Sequence, residues 1–463
     1  MKKLSFVLIL LALSQGIHSQ IIEKVIDSAR IEKLDEVLVK AIRVEASSPI
    51  THSNVSKAEL ATRNLGQDLP ILLNYLPSVV TTSDAGAGIG YTGIRVRGVS
   101  AQSTNITING IPYNDAESLG TFWVDLPDFA SSVESLQLQR GVGTSTNGSG
   151  AFGASINILT DAISKDSQAE ISNTFGSYNT LKHNLKFSTG LLGSNIEISG
   201  RLSQIKSDGY IDRAASDLKS YFLQGAYTDD NTLIKMLVFG GHEITYQAWN
   251  GIDAETLKNN RTFNPSGTYT DDDGTINFHE NEVDNYKQDH YQLHWNQKIN
   301  NYWSARIGLN YTYGRGYFEQ YKENQSFSDY DLNDLIIGDT TINETDLIRR
   351  RWLDNRFYVV TTSISHTKKD LAMSIGSSFS LYDGDHFGEI IWAQYASDSK
   401  INDKYYEGNG EKLELNIFTK ATYKLNEKLS IYGDLQFRII DYKTSGLTSD
   451  RVNMLINEKY NFF

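Results

Sequence analysis

Cysteine is absent from the 463-residue chain. That excludes a disulfide framework, a catalytic thiol and a lipid-bearing cysteine behind a leader. A basic excess is missing too. Lys and Arg total 43 against 56 Asp and Glu, a net charge of -13, which argues against a nucleic-acid partner. No apolar run reaches the roughly 20 residues that a membrane-spanning helix needs. The one short run, Leu4–Leu13, follows Lys2 and Lys3 and precedes Ile17-His18-Ser19. That is the pattern of a secretory leader cleaved before Gln20. Catalytic signatures are lacking as well: there is no His-Glu-x-x-His, no Gly-x-Ser-x-Gly and no assembled nucleophile and base. No enzyme activity is expected.

Ligand-holding loops fail in the same way. Gly141–Gly148 lacks the Gly-Lys-Ser/Thr ending of a phosphate loop and reads as tight turns. Asp271-Asp-Asp-Gly274 lacks the remaining ligands of a calcium loop. His290 and His294 would stand roughly 13 Å apart on a strand, too far to share a metal directly. No metal and no cofactor are expected.

What the chain does have is alternation. From about Gln168 onward apolar residues recur with period two. Leu413, Leu415, Ile417, Thr419, Ala421, Tyr423 and Leu425 fall on one face, and Glu414, Asn416, Phe418, Lys420, Thr422 and Lys424 on the other. Leu429–Ile439 and Trp303–Thr312 repeat the pattern, and Leu371–Leu381 alternates with small polar residues. Runs of about 10 residues suit tilted bilayer-crossing strands, although a water-soluble sheet with one wet face alternates likewise. Tyr or Trp near many strand ends favours the membrane, as an aromatic girdle would place them. Composition, with 40% hydrophobic residues and 26 Tyr, is compatible with either.

Connections alternate between short and long. Short turns fall at 192–195, 229–231, 300–301, 368–370 and 426–428, and long loops at 205–218, 242–287, 314–355 and 383–412. Outer-membrane barrels keep short turns in the periplasm and long loops outside. The count is about 11 strands, with Val452–Phe463 as a poorly alternating twelfth. Closed bacterial barrels use even numbers, and about 12 strands enclose little space.

Ahead of the alternating half lies a stretch of short strand-like runs divided by Gly, Asn and Pro turns. It reads Ile94-Arg-Val-Arg-Gly98, Asn105-Ile-Thr-Ile-Asn-Gly-Ile-Pro-Tyr-Asn-Asp115, Val133-Glu-Ser-Leu-Gln-Leu-Gln-Arg-Gly141 and Gly148-Ser-Gly-Ala-Phe-Gly-Ala-Ser-Ile-Asn-Ile-Leu-Thr160. In order and spacing it resembles the plug domain of TonB-dependent outer-membrane receptors. The expected fold is therefore a transmembrane β-barrel with an N-terminal α+β plug domain, present as about 11–12 of the roughly 22 antiparallel strands that plugged barrels use. The organisation expected is a leader at 1–19, a periplasmic segment at 20–45, a plug at 46–162 and the N-terminal part of the barrel at 163–463. A chain cut near mid-barrel is the favoured reading, against an intact small barrel ending on Phe463.

The resemblance also implies outer-membrane import of a scarce solute, with an iron chelate or siderophore favoured and cobalamin the nearest alternative. A non-transporting surface barrel, such as an adhesin or phage attachment site, and an inactive truncated receptor remain open. The implied partners are TonB, energised by ExbB and ExbD in the inner membrane, the ligand, and outer-membrane lipid. Leu34, Asp35, Glu36, Val37, Leu38 and Val39 resemble the TonB box, a segment that adds as a strand to the edge of a TonB sheet. The alternative is a first plug strand. The segment is too short for the extra N-terminal domain of glycan importers or for a signalling domain.

Within the plug, Ser56–Asn64 and Gly66–Tyr75 look helical. Ser56 with Glu59 is a capping-box candidate, and Leu69, Leu72, Leu73 and Leu76 form one apolar face. By the resemblance, Arg95, Arg97 and Arg140 pair with acidic residues of the barrel wall, expected in its missing half; plain surface charge is the alternative. Tyr91, Tyr113, Asn114, Glu117 and Trp123 are candidate ligand contacts on plug loops, joined by Tyr246 and Trp249 at the start of a long barrel loop. Each has a structural alternative, as packing against the wall or as part of the aromatic girdle.

Overall fold

A computed structural model of the chain describes residues 43–44, 49–146, 148, 151–271 and 273–463. The leader and the Leu34–Val39 segment lie outside the described residues.

Seven short strands build the N-terminal unit: β1 (His52–Ser56), β2 (Val79–Ser83), β3 (Thr92–Val96), β4 (Thr104–Ile108), β5 (Ile111–Pro112), β6 (Val133–Arg140) and β7 (Ala154–Thr160). Five of them pair in the order β1-β6-β7-β4-β5, with β4 and β7 parallel, and β2 and β3 form a separate hairpin. Asn109 and Gly110 turn β4 into β5 with φ of 53° and 74°. Both central residues of this tight turn need positive φ, which is why the sequence is Asn-Gly. Helix α1 (Lys57–Ala61) starts at the expected capping box: Ser56 Oγ accepts from the Glu59 amide, and the Glu59 carboxylate accepts from the Ser56 amide. Helix α2 (Leu69–Leu72) is a single turn begun by Pro70. Both helices are shorter than the periodicity suggests, but Leu69, Leu72, Leu73 and Leu76 are all buried.

The remaining strands are β8 (Gln168–Gly176), β9 (Thr180–Ser188), β10 (Ile196–Ser207), β11 (Ser216–Thr228), β12 (Thr232–Tyr246), β13 (Thr268–Thr270), β14 (Ile276–Phe278), β15 (Val283–Lys298), β16 (Trp303–Ser326), β17 (Leu335–Ile337), β18 (Thr340–Ile342), β19 (Glu344–Lys368), β20 (Leu371–Ala393), β21 (Asp403–Asn426), β22 (Leu429–Gly446) and β23 (Asn457–Phe462). Twelve of them form one antiparallel sheet in sequence order, interrupted only where the hairpins β13–β14 and β17–β18 sit in loops. The weakly alternating C-terminal run does pair, as β23 on β22. The two edges, β8 and β23, do not pair with each other, so the sheet is not closed.

Polarity across this sheet is the reverse of a soluble protein's. Ile198, Leu202, Met236, Leu293, Ile375 and Ile417 are exposed, whereas Glu197, Arg201, Gln224, His294, Asn296 and Asn416 are buried. A water-soluble sheet would put the first set inside; lipid outside and a filled, polar lumen inside require this arrangement. The ambiguity of period two is thereby resolved.

Strand length departs from expectation. β16, β20 and β21 have 24, 23 and 24 residues and β19 has 25, about 80 Å at about 3.3 Å per residue. Much of what reads as loop at 314–355 and 383–412 is strand that continues beyond the roughly 10 residues a bilayer needs. The charged and aromatic residues there interrupt the apolar pattern without interrupting the ladder, because outside the membrane neither face has to be apolar.

Candidate functional site

The plug core fixes the floor of the site. Val55, Leu60, Ile94, Val96, Ile106, Ile108, Leu136, Leu138, Ile156 and Ile158 are buried in one cluster, and the cluster extends into the wall through Phe222, Leu237 and Phe239. With the sheet held there, the turns at the β3 and β5 ends project towards the long-loop side of the wall. Between them and the inner face of the large sheet lies a cavity of about 530 Å³.

Four of the seven ligand candidates line it: Tyr91, Tyr113, Asn114 and Trp249. Tyr91 meets Trp249 edge to face, with centroids 5.3 Å apart, and its hydroxyl donates to Asp284. Burial, reinforced by the carboxylates of Asp284, Glu243 and Asp125, keeps that hydroxyl protonated well above the usual tyrosine range. Tyr113 tilts against His290 at 5.5 Å. Asn114 is chiefly structural: it accepts from the Ile106 amide and donates to the carbonyls of Thr104 and Leu119. Glu117 grips the wall. It accepts from Tyr382 at 2.9 Å and Tyr442 at 3.3 Å, and pairs with His386 at 2.7 Å. Burial alone would raise its carboxyl, but His386 and the two tyrosines bring it below its ordinary value.

Trp123 and Tyr246 go elsewhere. Trp123 is buried in the plug core, and the Tyr246 hydroxyl donates to the His279 carbonyl inside the loop that follows β12. Sequence reasoning missed most of the wall. Tyr286, Gln288, His290 and Gln292 line the cavity and stand at every second position of β15; a period-two reading of that strand nominates them. Further along the wall Arg351, Trp352, Phe357 and Tyr382 join the lining. Arg351 sits over the Phe318 ring at 5.9 Å, and Trp352 packs on Tyr317 at 4.7 Å. The resulting surface is aromatic, with Asp115, Asp125, Asp284 and Arg351 as its charged members.

Among the described residues the plug–wall ion pairs are made by plug carboxylates. Arg95 and Arg97 are exposed. Arg140 is buried and donates to the Pro77 carbonyl and Ser53 Oγ, both in the plug. Asp128 pairs with Lys182 at 2.6 Å and Arg201 at 3.3 Å, and Asp161 pairs with Lys186 at 2.6 Å. Desolvation would raise the Asp128 carboxyl, yet Arg201 and Lys182 hold it well below the usual carboxylate range. Asp161 is lowered for the same reason, by Lys186 and Lys57 against its own burial.

Residues 44–155 match the model of the TonB-dependent receptor plug domain. Over 180 residues the chain is 32% identical to the vitamin B12 transporter BtuB of Vibrio vulnificus, covering 38% of this chain and 28% of that protein. A probable TonB-dependent siderophore receptor, PirA of Acinetobacter baumannii, is 24% identical over 149 residues, covering 30% and 20%. Among solved structures, the open form of the ferric-catecholate import receptor Fiu from E. coli K12 superposes with a TM-score of 0.64 at 15% identity, covering 90% of this chain and 66% of that one. Unliganded ferric citrate transporter FecA superposes with a TM-score of 0.66 at 12% identity, covering 89% and 59%. The chain thus spans less than two thirds of the length of each.

Proposed function

We propose that the chain is part of a TonB-dependent receptor, on its plug-domain match, and that the complete protein imports a scarce solute across the outer membrane. The ligand proposed is an iron chelate or siderophore. The observation that carries this reading is the shared construction of the cavity. Its floor is plug, through Tyr91 and Tyr113, and its wall is barrel, through Tyr286 and Trp352. A ligand seated there touches both parts, so its binding energy can shift one against the other. Aromatic rings with Arg351 beside them suit a flat, unsaturated chelate. A cobalamin cargo is the second reading, favoured by the 32% identity to a vitamin B12 transporter.

Coupling is proposed to run through Leu34–Val39, which TonB captures by strand addition and pulls. Deleting Leu34–Val39 is expected to abolish energised uptake while leaving ligand binding intact; uptake that persists in the deletion strain rejects the coupling segment. Growth of a knockout under iron starvation, with single siderophores supplied, tests the cargo. Indifference to every iron source, together with lost cobalamin uptake, moves the assignment to the second reading.

A further inference from the structure

The carboxylates that fasten the plug each meet a cation of the wall: Asp128 meets Lys182 and Arg201, Asp161 meets Lys186, and Glu117 meets His386. Asp125 is different. It ends the short turn Trp123–Asp125, whose Trp123 and Val124 are buried in apolar clusters. The turn also abuts the wall, where a β-carbon at Gly241 of β12 would collide with the Asp125 carbonyl. The backbone is thereby fixed, while the side chain lines the cavity. Asp125 is only 6% exposed, and among the described residues its carboxylate has no hydrogen bond and no ion pair. A buried carboxylate left without a partner is costly.

Asp284 of β15 lines the same cavity from the wall side. Glu243 of β12 is wholly buried, with both carboxylate oxygens lacking a hydrogen-bond partner. The Asp284 charge acts on both Asp125 and Glu243. Asp284 accepts from the Tyr91 hydroxyl, but among the described residues no lysine, arginine or histidine acts on it or on Glu243. Three carboxylates thus gather where plug meets wall, without a counter-charge. Burial, reinforced by Asp284 and Asp115, pushes the Asp125 carboxyl well above the usual carboxylate range. It holds a proton that a bound cation would displace. Tyr91, Tyr113, Tyr286 and Trp249 supply the rings around this place. Ring faces attract a cation, and carboxylate oxygens accept the N–H bonds of an ammonium group. No group of three acidic or histidine side chains among the described residues could hold a metal ion, so the cation that fits is organic.

We propose that the imported solute carries a protonated amine, which seats in the cavity between Asp125 of the plug and Asp284 of the wall. This rests on the import reading and narrows its cargo to solutes with a cationic group. The test uses the complete receptor and two probes of one shape, phenethylammonium and phenethyl alcohol, which differ in charge. Their Kd values are read by ligand-observed NMR titration. The ammonium is expected to bind about tenfold tighter or more. Asp125→Asn keeps the shape of the side chain but cannot carry its charge, and should bring the two probes within about threefold. Equal affinities in the unaltered receptor, or no saturable binding of the ammonium, overturn the site without any variant. A preference that survives Asp125→Asn overturns it as well; should that variant not fold, Asp284→Asn answers the same question. Uptake separates this from the import reading. A receptor that prefers the ammonium yet takes up no iron chelate and no cobalamin fails the import reading and leaves the amine site standing. One that takes up a chelate equally well with and without a pendant amine keeps the import reading and overturns the proposal.

Discussion

Asp128 gathers four side chains of the wall, with Ser131 of the plug beside them. Besides Lys182 and Arg201 it accepts from Asn184, Ser203 and Ser131. Asp128→Asn leaves two buried cations without their counter-charge, a loss of about 3–5 kcal/mol. Faster amide exchange in β6 and β7, with the barrel strands unchanged, is the expected result. The carboxyl sits below its unfolded value, so its contribution is complete above about pH 4 and vanishes only as the pH falls through the depressed value. Exchange protection of the plug should therefore hold from neutral pH down to about pH 4 and collapse in stronger acid. At the cavity, Trp249→Ala removes the ring that seats Tyr91 and should weaken ligand binding about tenfold, or ~1.4 kcal/mol, measured as Kd on the purified receptor. An unchanged Kd removes Trp249 from the site. The carboxylates at 128 and 161 were invisible to motif reading, because each sits in an irregular turn where only the fold brings a lysine of the wall within reach.

Elements were more legible than residues. The period-two runs located the wall strands, and the Asn-Gly pair marked the β4–β5 turn, because both signals are local. Strand ends were not legible. β19 begins at Glu344 and takes in Arg349, Arg350 and Arg351, a run that reads as loop when lipid is assumed on one face. Helix length was not legible either: α2 stops after one turn, and the chain runs on to Leu76 in tighter turns, with the amides of Leu73, Asn74 and Leu76 donating to the carbonyls of Pro70, Ile71 and Leu73. Turn chemistry predicts that Gly110→Val, forced to a φ near 74°, costs about 1–2 kcal/mol and lowers the plug's denaturant midpoint. Gly110→Ala should fall between wild type and the valine variant. Orientation is testable at the same scale. An epitope inserted in the loop at 394–402 should bind antibody on intact cells, whereas one at the 426–428 turn should need permeabilised cells. The reverse pattern inverts the topology.

At the scale of the whole molecule, the sheet presents two free edges, β8 and β23. β8 carries Ile171 and Phe175 at 73% and 74% exposure. Free edges with apolar faces recruit other strands. These 463 residues expressed alone should therefore aggregate or pair with added strands instead of migrating as a heat-modifiable barrel on gels. A monodisperse, heat-modifiable species would show that the edges can meet.

The plug is also fastened unevenly with respect to where its chain begins. Arg43 and Val44 border a recess with Ser365, Thr367 and Lys369, at the β19–β20 turn, whereas the apolar contacts and the Asp128 and Asp161 ion pairs gather at β9–β12, and Glu117 holds β20 through His386. Tension applied through the N-terminus would thus act as torque about a fixed flank and peel the interface open contact by contact. Peeling breaks bonds in series and needs a small sustained force; shearing the whole interface would break them together.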